Sequence, residues 1–346
     1  MAIFMPVSEI LQLSYSIDWL IRGIIEVKGL FLIFGDPASG KSFLAVDMAC
    51  CVATGLDWHS NKVQAGCVFY IAGEGNRGYS ARSAAWSVLN DTSLDDAPLF
   101  FSNNTINISD PQSVIMLNDE ITAMTNQTGL LPRLIIIDTL ARAMDGDENS
   151  SRDMTSFVQQ LDQLKDLHKC AILLVHHTGH SDKSRARGST VLKGALDGEY
   201  RVTKTNDGTV RLECTKMKES EAPASMAFKL TDVQLPALDD EGNPVYKAAI
   251  ECIDYSEPAR PSSAGMGKNQ KLGLSALNEL IAEQQESQTN DDPDAVWVTV
   301  DDWRKHSETK GLIRQRFNEV KKSLLDAELI IVDDQGNVRA NEIEPS

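Results

Sequence analysis

The first signal in the chain is a set of short, unbroken apolar runs at 30–34, 66–72, 134–137 and 170–175, none of which alternates with polar residues. Strands buried on both faces of a parallel sheet have this pattern, whereas a half-exposed strand would alternate. Helical spacing separates the runs, at 43–49, 79–90, 111–126 and 154–168. Strand and helix in alternation predict an α/β fold with a mainly parallel central sheet. A hairpin at 199–205 and 209–214 turns about Asn206-Asp207-Gly208, and short strands at 227–230 and 246–250 finish the sheet. Before the first run, apolar positions near 7–11 and 17–25 form an amphipathic segment. It has to bury Trp19 against the edge of the core or against a neighbouring subunit.

Chemistry gathers where the runs stop. Gly35-Asp36-Pro37-Ala38-Ser39-Gly40-Lys41-Ser42 lies between the first run and the helix that Phe43 opens. Its two glycines permit a tight turn whose amides point inward to cradle phosphates, with Lys41 in reach of the terminal phosphates and Ser42 of magnesium. Residues Gly35 through Phe43 are therefore the candidate site for ATP with Mg2+. The second run exits into Gly73-Glu74-Gly75-Asn76-Arg77-Gly78, and Glu74 can orient or deprotonate the water that attacks a γ-phosphate. These glycines also fit a dinucleotide fingerprint, but no strand-end acid follows at the required spacing. The third run ends on Asp138, a candidate magnesium acid acting through water or Ser42, at the strand end where open α/β sheets bind ligands. The fourth ends in His176-His177-Thr178-Gly179-His180. No carboxylate or cysteine completes a metal set there, and a polar group at the tip of a strand beside the phosphate loop can sense a γ-phosphate, His177 ahead of His176. Residues 145–151 read as a mobile acidic loop.

A net charge of -17 argues against a surface coated by nucleic acid, without excluding a local basic track. No apolar run approaches the ~20 residues of a membrane span, and the N-terminus lacks a secretory signal, so a cytoplasmic protein without membrane contact is expected. The six cysteines have no paired or metal-ligand spacing and read as reduced core residues. Pro, Ser and Gly dominate near 256–267, which marks a linker. The division expected is a core with its N-terminal packing segment at 1–252, a linker at 253–267 and a small α+β domain at 268–346.

Gly35 to Ser42, Glu74, Leu134 to Asp138 with Thr139-Leu140-Ala141-Arg142, Val175-His176-His177, and Arg187-Gly188-Ser189-Thr190-Val191-Leu192 occur in this order. The series resembles the RecA-like ATPases of the plasmid replicative helicase RepA family over roughly residues 15 to 235. The resemblance implies a RecA-like P-loop core in a homo-oligomeric ring, a hexamer, that hydrolyses ATP at subunit interfaces and moves along single-stranded DNA. By carry-over Lys41 and Ser42 bind phosphate and magnesium, Glu74 is the catalytic base, Asp138 the Walker B acid and His177 the sensor. The arginine finger of the RepA pattern aligns with Asp197, four residues before Arg201. Thr215-Lys216-Met217-Lys218 resembles the K-x-R motif of DnaB-type helicases, which makes Lys216 and Lys218 the leading cations for a neighbour's site, although lysine is a poorer planar clamp than arginine.

In RecA-like motors the loop after the sensor strand often faces the channel. Arg185 and Arg187, with Lys183 before them, are therefore candidates to track DNA phosphates, a solvated charge run being the competing account. In the C-terminal domain, helices at 272–284, about 301–305 and 311–327 and a hairpin at 329–338 resemble a winged helix. Arg314, Arg316, Lys321 and Lys322 give its third helix a basic face suited to phosphates, and docking to other replication proteins is the alternative. The function expected is an ATP-dependent helicase or translocase in plasmid or phage DNA replication. The alternative is a nucleotide-switched ATPase, such as a recombination mediator, loader or regulator, that assembles without unwinding.

Overall fold

The computed structural model describes residues 4–11, 16–73, 76–179, 185–205, 207–255, 267–287, 297–326, 329–333 and 336–340. The chain divides into two compact units, Met1–Tyr255 and Ser256–Ser346. In order, the first contains α1 (Val7–Ile10), β1 (Trp19–Ile21), β2 (Ile25–Glu26), β3 (Leu30–Gly35), α2 (Lys41–Thr54), β4 (Cys67–Ala72), α3 (Asn76–Leu89), β5 (Leu99–Phe101) and α4 (Pro111–Thr128). It continues with β6 (Pro132–Asp138), α5 (Leu140–Ala143), α6 (Ser151–His168), β7 (Ala171–His177), α7 (Thr190–Ala195), β8 (Gly198–Lys204), β9 (Val210–Met217), β10 (Met226–Leu238) and β11 (Pro244–Ile253).

Nine strands form one sheet in the order β11-β10-β9-β8-β3-β7-β6-β4-β5. From β8 to β5 all neighbours are parallel, and β9, β10 and β11 are added antiparallel. The four apolar runs are the adjacent strands β3, β7, β6 and β4. They lack alternation because helices cover both sheet faces. Phe31 and Ile33 of β3 pack with residues of α2 and α3, while Leu30, Leu32 and Phe34 pack with residues of α4 and α6. Each such fully buried side chain stabilises the fold by about 1.5–3 kcal/mol. Helix α6 is fixed at its start by Ser150, whose side chain accepts from the Asp153 amide.

Several expectations change. Residues 17–25 form the antiparallel hairpin β1–β2, which turns at Gly23 with φ +77 and buries Leu20, Ile21, Ile24 and Ile25 in the core. Helix α1 buries none of its residues. Strands β10 and β11 are far longer than the short strands expected. One face of this ribbon packs Val233 and Ala249 against Ala85 of α3, the other puts Phe228 and Ile250 into the main core, and exposed polar residues between them interrupt the hydrophobic signal. The acidic loop is ordered by turns: the Ser150 amide donates to the Asp147 carbonyl, and the Asn149 and Asp147 amides donate to Asp147 Oδ1 and Asp153 Oδ2.

The second unit contains α8 (Lys268–Ser287), β12 (Val298–Thr299), α9 (Val300–Thr309), α10 (Arg314–Asp326), β13 (Ile330–Val332) and β14 (Asn337–Ala340). Its strands form an antiparallel sheet ordered β12-β14-β13. Leu277, Trp303, Phe317, Val320 and Leu324 fill the core, and Trp303 Nε1 donates to the Gly273 carbonyl at 2.8 Å. The helix expected at 311–327 begins at Arg314, since Gly311 takes φ +100 and ends the preceding turn. Among the described residues no helix is long and apolar enough to cross a membrane.

Candidate active site

The C-terminal ends of β3, β7 and β6 lie side by side and bring three of the motifs together. Gly35 stands level with His177, and Asp138 stands level with Val175 on the other side of β7. Alternation along the strands puts Asp138 and His177 on the sheet face that α2 covers. Between β3 and α2 the loop is a tight cradle. A Cβ at Gly35 would lie 2.1 Å from the Val202 carbonyl oxygen, and Ala38 and Gly40 both adopt positive φ, +62 and +102. The Phe43 and Leu44 amides donate to the Gly40 carbonyl. The amides of Lys41 and Ser42, in the first turn of α2, have no helical acceptor and suit an anion.

Lys41 is buried, and its Nζ donates to the carbonyls of Gly35 at 2.9 Å and Asp36 at 2.6 Å. Burial pushes its pKa down to about 8, against the opposing pull of Asp138 and Asp36. The Ser39 hydroxyl is buried without a hydrogen-bond partner among the described residues. A buried cation, an orphan hydroxyl and a glycine cradle at a helix N-terminus fit a nucleoside triphosphate. Phe43 packs at the edge of the core, with the Arg82 guanidinium 4.9 Å from its ring centre.

Asp138 is buried, and its Oδ2 accepts from the phenols of Tyr70 at 2.7 Å and Tyr79 at 3.3 Å. Burial first, and Asp138 second, raise the Tyr70 pKa well above its usual value, so it remains a donor. Glu74 lies outside the described residues. Its strand β4 is separated from β3 by β7 and β6, and so does not adjoin the phosphate-loop strand. The preceding Gly73 amide donates to the Asp138 carbonyl at 2.6 Å.

Beyond β7, the Thr178 hydroxyl donates to Asp36 Oδ1 of the phosphate loop, and Thr178 bridges to Ala186. The Arg187 amide donates to the His177 carbonyl at 3.0 Å. Within this loop the Arg187 guanidinium pairs with Glu148, Nε to Oε2 at 3.1 Å. Arg187 is thus ion-paired with the acidic loop, and Arg185 also has a partner. Lys183 lies outside the described residues.

Lys216 and Lys218 stand at the far end of the sheet. β9 runs antiparallel to β8, so Met217 pairs with Gly198, which is level with Phe31. The Lys218 amide donates to the Asp197 carbonyl, and Asp197 Oδ2 accepts from the Leu30 amide. Lys216 pairs with Glu199, which is level with Leu32. Along β3, Lys216 therefore stands roughly 10 Å and Lys218 roughly 17 Å from Gly35, both two strands to the side and out of reach of their own chain's phosphate loop. Their amines contact the Lys193 carbonyl at 2.6 Å and Asp197 Oδ1 at 3.4 Å. Arg201 is level with Phe34 and pairs with Glu213 at 2.8 Å. Sequence reasoning missed Tyr70, Tyr79, Thr178 and Glu148. Only Tyr70 carried a signal: a hydroxyl inside a buried aliphatic run requires a partner.

His176 is fully buried, and its Nε2 donates to the Arg187 carbonyl at 3.0 Å. Burial above all lowers its pKa to about 4, so in the folded state it stays neutral while the unfolded chain takes up a proton below about 6.5. Its contribution to stability is fully present above pH 6.5 and is lost as pH falls toward 4. We expect a loss of about 2 kcal/mol between pH 6.5 and 5, read as a fall in urea midpoint. His176→Gln should flatten that part of the profile, and an unchanged slope would refute the assignment.

An AAA domain family model matches residues 5–183. No curated protein matches the chain. That match covers just over half of the chain, including the phosphate loop, Asp138 and His177, and the chain therefore belongs to the AAA domain family of P-loop, RecA-like ATPases.

Proposed function

We propose that this ATPase is a ring-forming DNA translocase or helicase, a homohexamer that moves along single-stranded DNA during plasmid or phage replication. The observation that carries the reading is the short path from the phosphate loop to the basic loop. Asp36 binds Thr178, Thr178 bridges to Ala186, and Arg187 is tied back to His177. A motor needs such a link, because a change at the γ-phosphate must move residues that grip the strand.

In this reading the amides of the phosphate loop and Lys41 hold the triphosphate, and Ser42 and Asp138 hold magnesium. Bound there, magnesium neutralises charge on the transferring phosphoryl group. Glu74 orients the attacking water, and His177 senses the γ-phosphate. Lys216 and Lys218 serve a neighbouring subunit. Arg185 and Arg187 contact the DNA backbone once Glu148 releases its pair.

We read the second unit as a winged helix. Its α10 buries Phe317, Val320 and Leu324 and leaves Arg314, Arg316 and Lys322 exposed, with Lys321 half-buried beside them. That face suits a nucleic-acid backbone or another replication protein.

The deciding measurement is steady-state ATP hydrolysis with and without single-stranded DNA, on protein of known oligomeric mass. Stimulation of about tenfold or more in a ring-sized species, followed by ATP-dependent displacement of an annealed strand, is expected. Hydrolysis indifferent to DNA would overturn the motor reading and favour a nucleotide-switched assembly protein.

A further inference from the structure

Two phenols on one buried carboxylate oxygen form an arrangement that packing alone does not require. Tyr70 projects from the middle of β4 and Tyr79 from the first turns of α3, yet both hydroxyls converge on Asp138 Oδ2. Both side chains are almost wholly buried. Phenylalanine would fill the same space without the cost of burying a hydroxyl. The rings are held in place by their neighbours: they lie 5.0 Å apart, and Phe101 sits 5.1 Å from Tyr70 and 5.7 Å from Tyr79. The Arg82 guanidinium covers the Tyr79 ring at 5.3 Å and the Phe43 ring at 4.9 Å, which joins this box to the first turn of α2.

We propose that Tyr70 and Tyr79 are positioning residues for Asp138, fixing the carboxylate through Oδ2 so that Oδ1 is the oxygen presented to hydrated magnesium. This rests on the reading of Asp138 as the magnesium acid. Among the described residues Oδ1 accepts no hydrogen bond, whereas Oδ2 accepts two. A carboxylate with both oxygens free to rotate would offer the ion several poorer orientations. Two donors from separate elements remove that freedom, and partners of this kind are worth about 10- to 100-fold in metal affinity. They also stabilise the negative charge that burial opposes. Tyr79 has a second consequence. It ties the start of α3 to Asp138 Oδ2, the same oxygen that Tyr70 of β4 holds.

The test is a magnesium titration of fluorescent mant-ADP binding, with hydrolysis as a second readout. Tyr70→Phe is expected to raise the half-saturating magnesium concentration about tenfold, with nucleotide binding in EDTA unchanged. Tyr79→Phe, which loses the longer bond, should give a smaller shift in the same direction and serves if Tyr70→Phe does not fold. Half-saturation equal to wild type in a folded variant, even with a lowered melting temperature, would show the hydroxyls to be structural only and overturn the proposal. If wild-type protein itself binds mant-ADP without any magnesium dependence, the reading of Asp138 fails and the proposal with it.

Discussion

Lys41→Ala is expected to cut ATP hydrolysis by on the order of 10²- to 10³-fold, about 3–4 kcal/mol of transition-state stabilisation, while the chain remains folded. Lys41 is the buried cation of the phosphate cradle, its amine oriented by the Gly35 and Asp36 carbonyls. Charge developing on the transferring phosphoryl group meets a buried, fixed cation, and one fixed positive charge is worth more there than in water. Burial has lowered its pKa to about 8, well below the 10.5 of a free lysine. At pH 7 the amine is therefore still mostly protonated, but its charge opposes folding, and that cost is relieved only as pH rises from about 8 toward 10.5. Alanine gives up two hydrogen bonds to carbonyls and removes a buried ammonium, so the net change in stability should stay within about 1 kcal/mol. Phosphate release at saturating ATP, measured beside a thermal melt, separates the two effects. Hydrolysis within tenfold of wild type in a folded variant would place the chemistry elsewhere.

What the sequence disclosed follows from how these residues are buried. The strands that carry the chemistry are covered on both faces, so β3, β6 and β7 read as unbroken apolar runs, and each ends where backbone and side chains turn toward a ligand. Phosphate loop, Asp138 and His177 were legible for that reason, each being a local break in a local pattern. The order of the strands was not legible, because β3-β7-β6-β4 is set by which faces pack and not by any one segment. Every contact depending on that order was hidden with it. Tyr70 reaches Asp138 across 68 positions of sequence, and Glu148 meets Arg187 although one loop read as mobile and acidic and the other as an independent basic track. Lys216 and Lys218 show the same limit. Their motif was visible, but their place at the far end of the sheet came only from the antiparallel register of β8 and β9.

Asp47→Ala is expected to cost about 4 kcal/mol or more, a large part of the 5–15 kcal/mol by which such a domain is stable. Asp47 lies on α2, six residues beyond Lys41 and on the inner side of that helix. Its Oδ1 accepts from Trp86 Nε1 at 2.7 Å, and its Oδ2 accepts from Trp58 Nε1 at 2.7 Å and contacts His59 Nε2 at 2.7 Å. Both indoles are buried, and an indole has only one way to satisfy its N–H. Alanine leaves two buried donors without acceptors, at roughly 1–3 kcal/mol each, and opens a void beside His59. Asparagine keeps one acceptor but turns an amide donor toward another donor, so about half the loss should remain. Trp86→Phe removes a single donor and should cost less, and in combination with Asp47→Ala the two losses should fall short of their sum, because the variants share one hydrogen bond. Urea unfolding of the four proteins supplies that cycle. A loss below about 1 kcal/mol in Asp47→Ala would mean that water satisfies the indoles and that Asp47 does not hold α2 in place. A large loss with strong coupling would mean that the helix presenting Lys41 and Ser42 to phosphate is fastened to α3 through this carboxylate, and mant-ADP affinity should then fall along with stability.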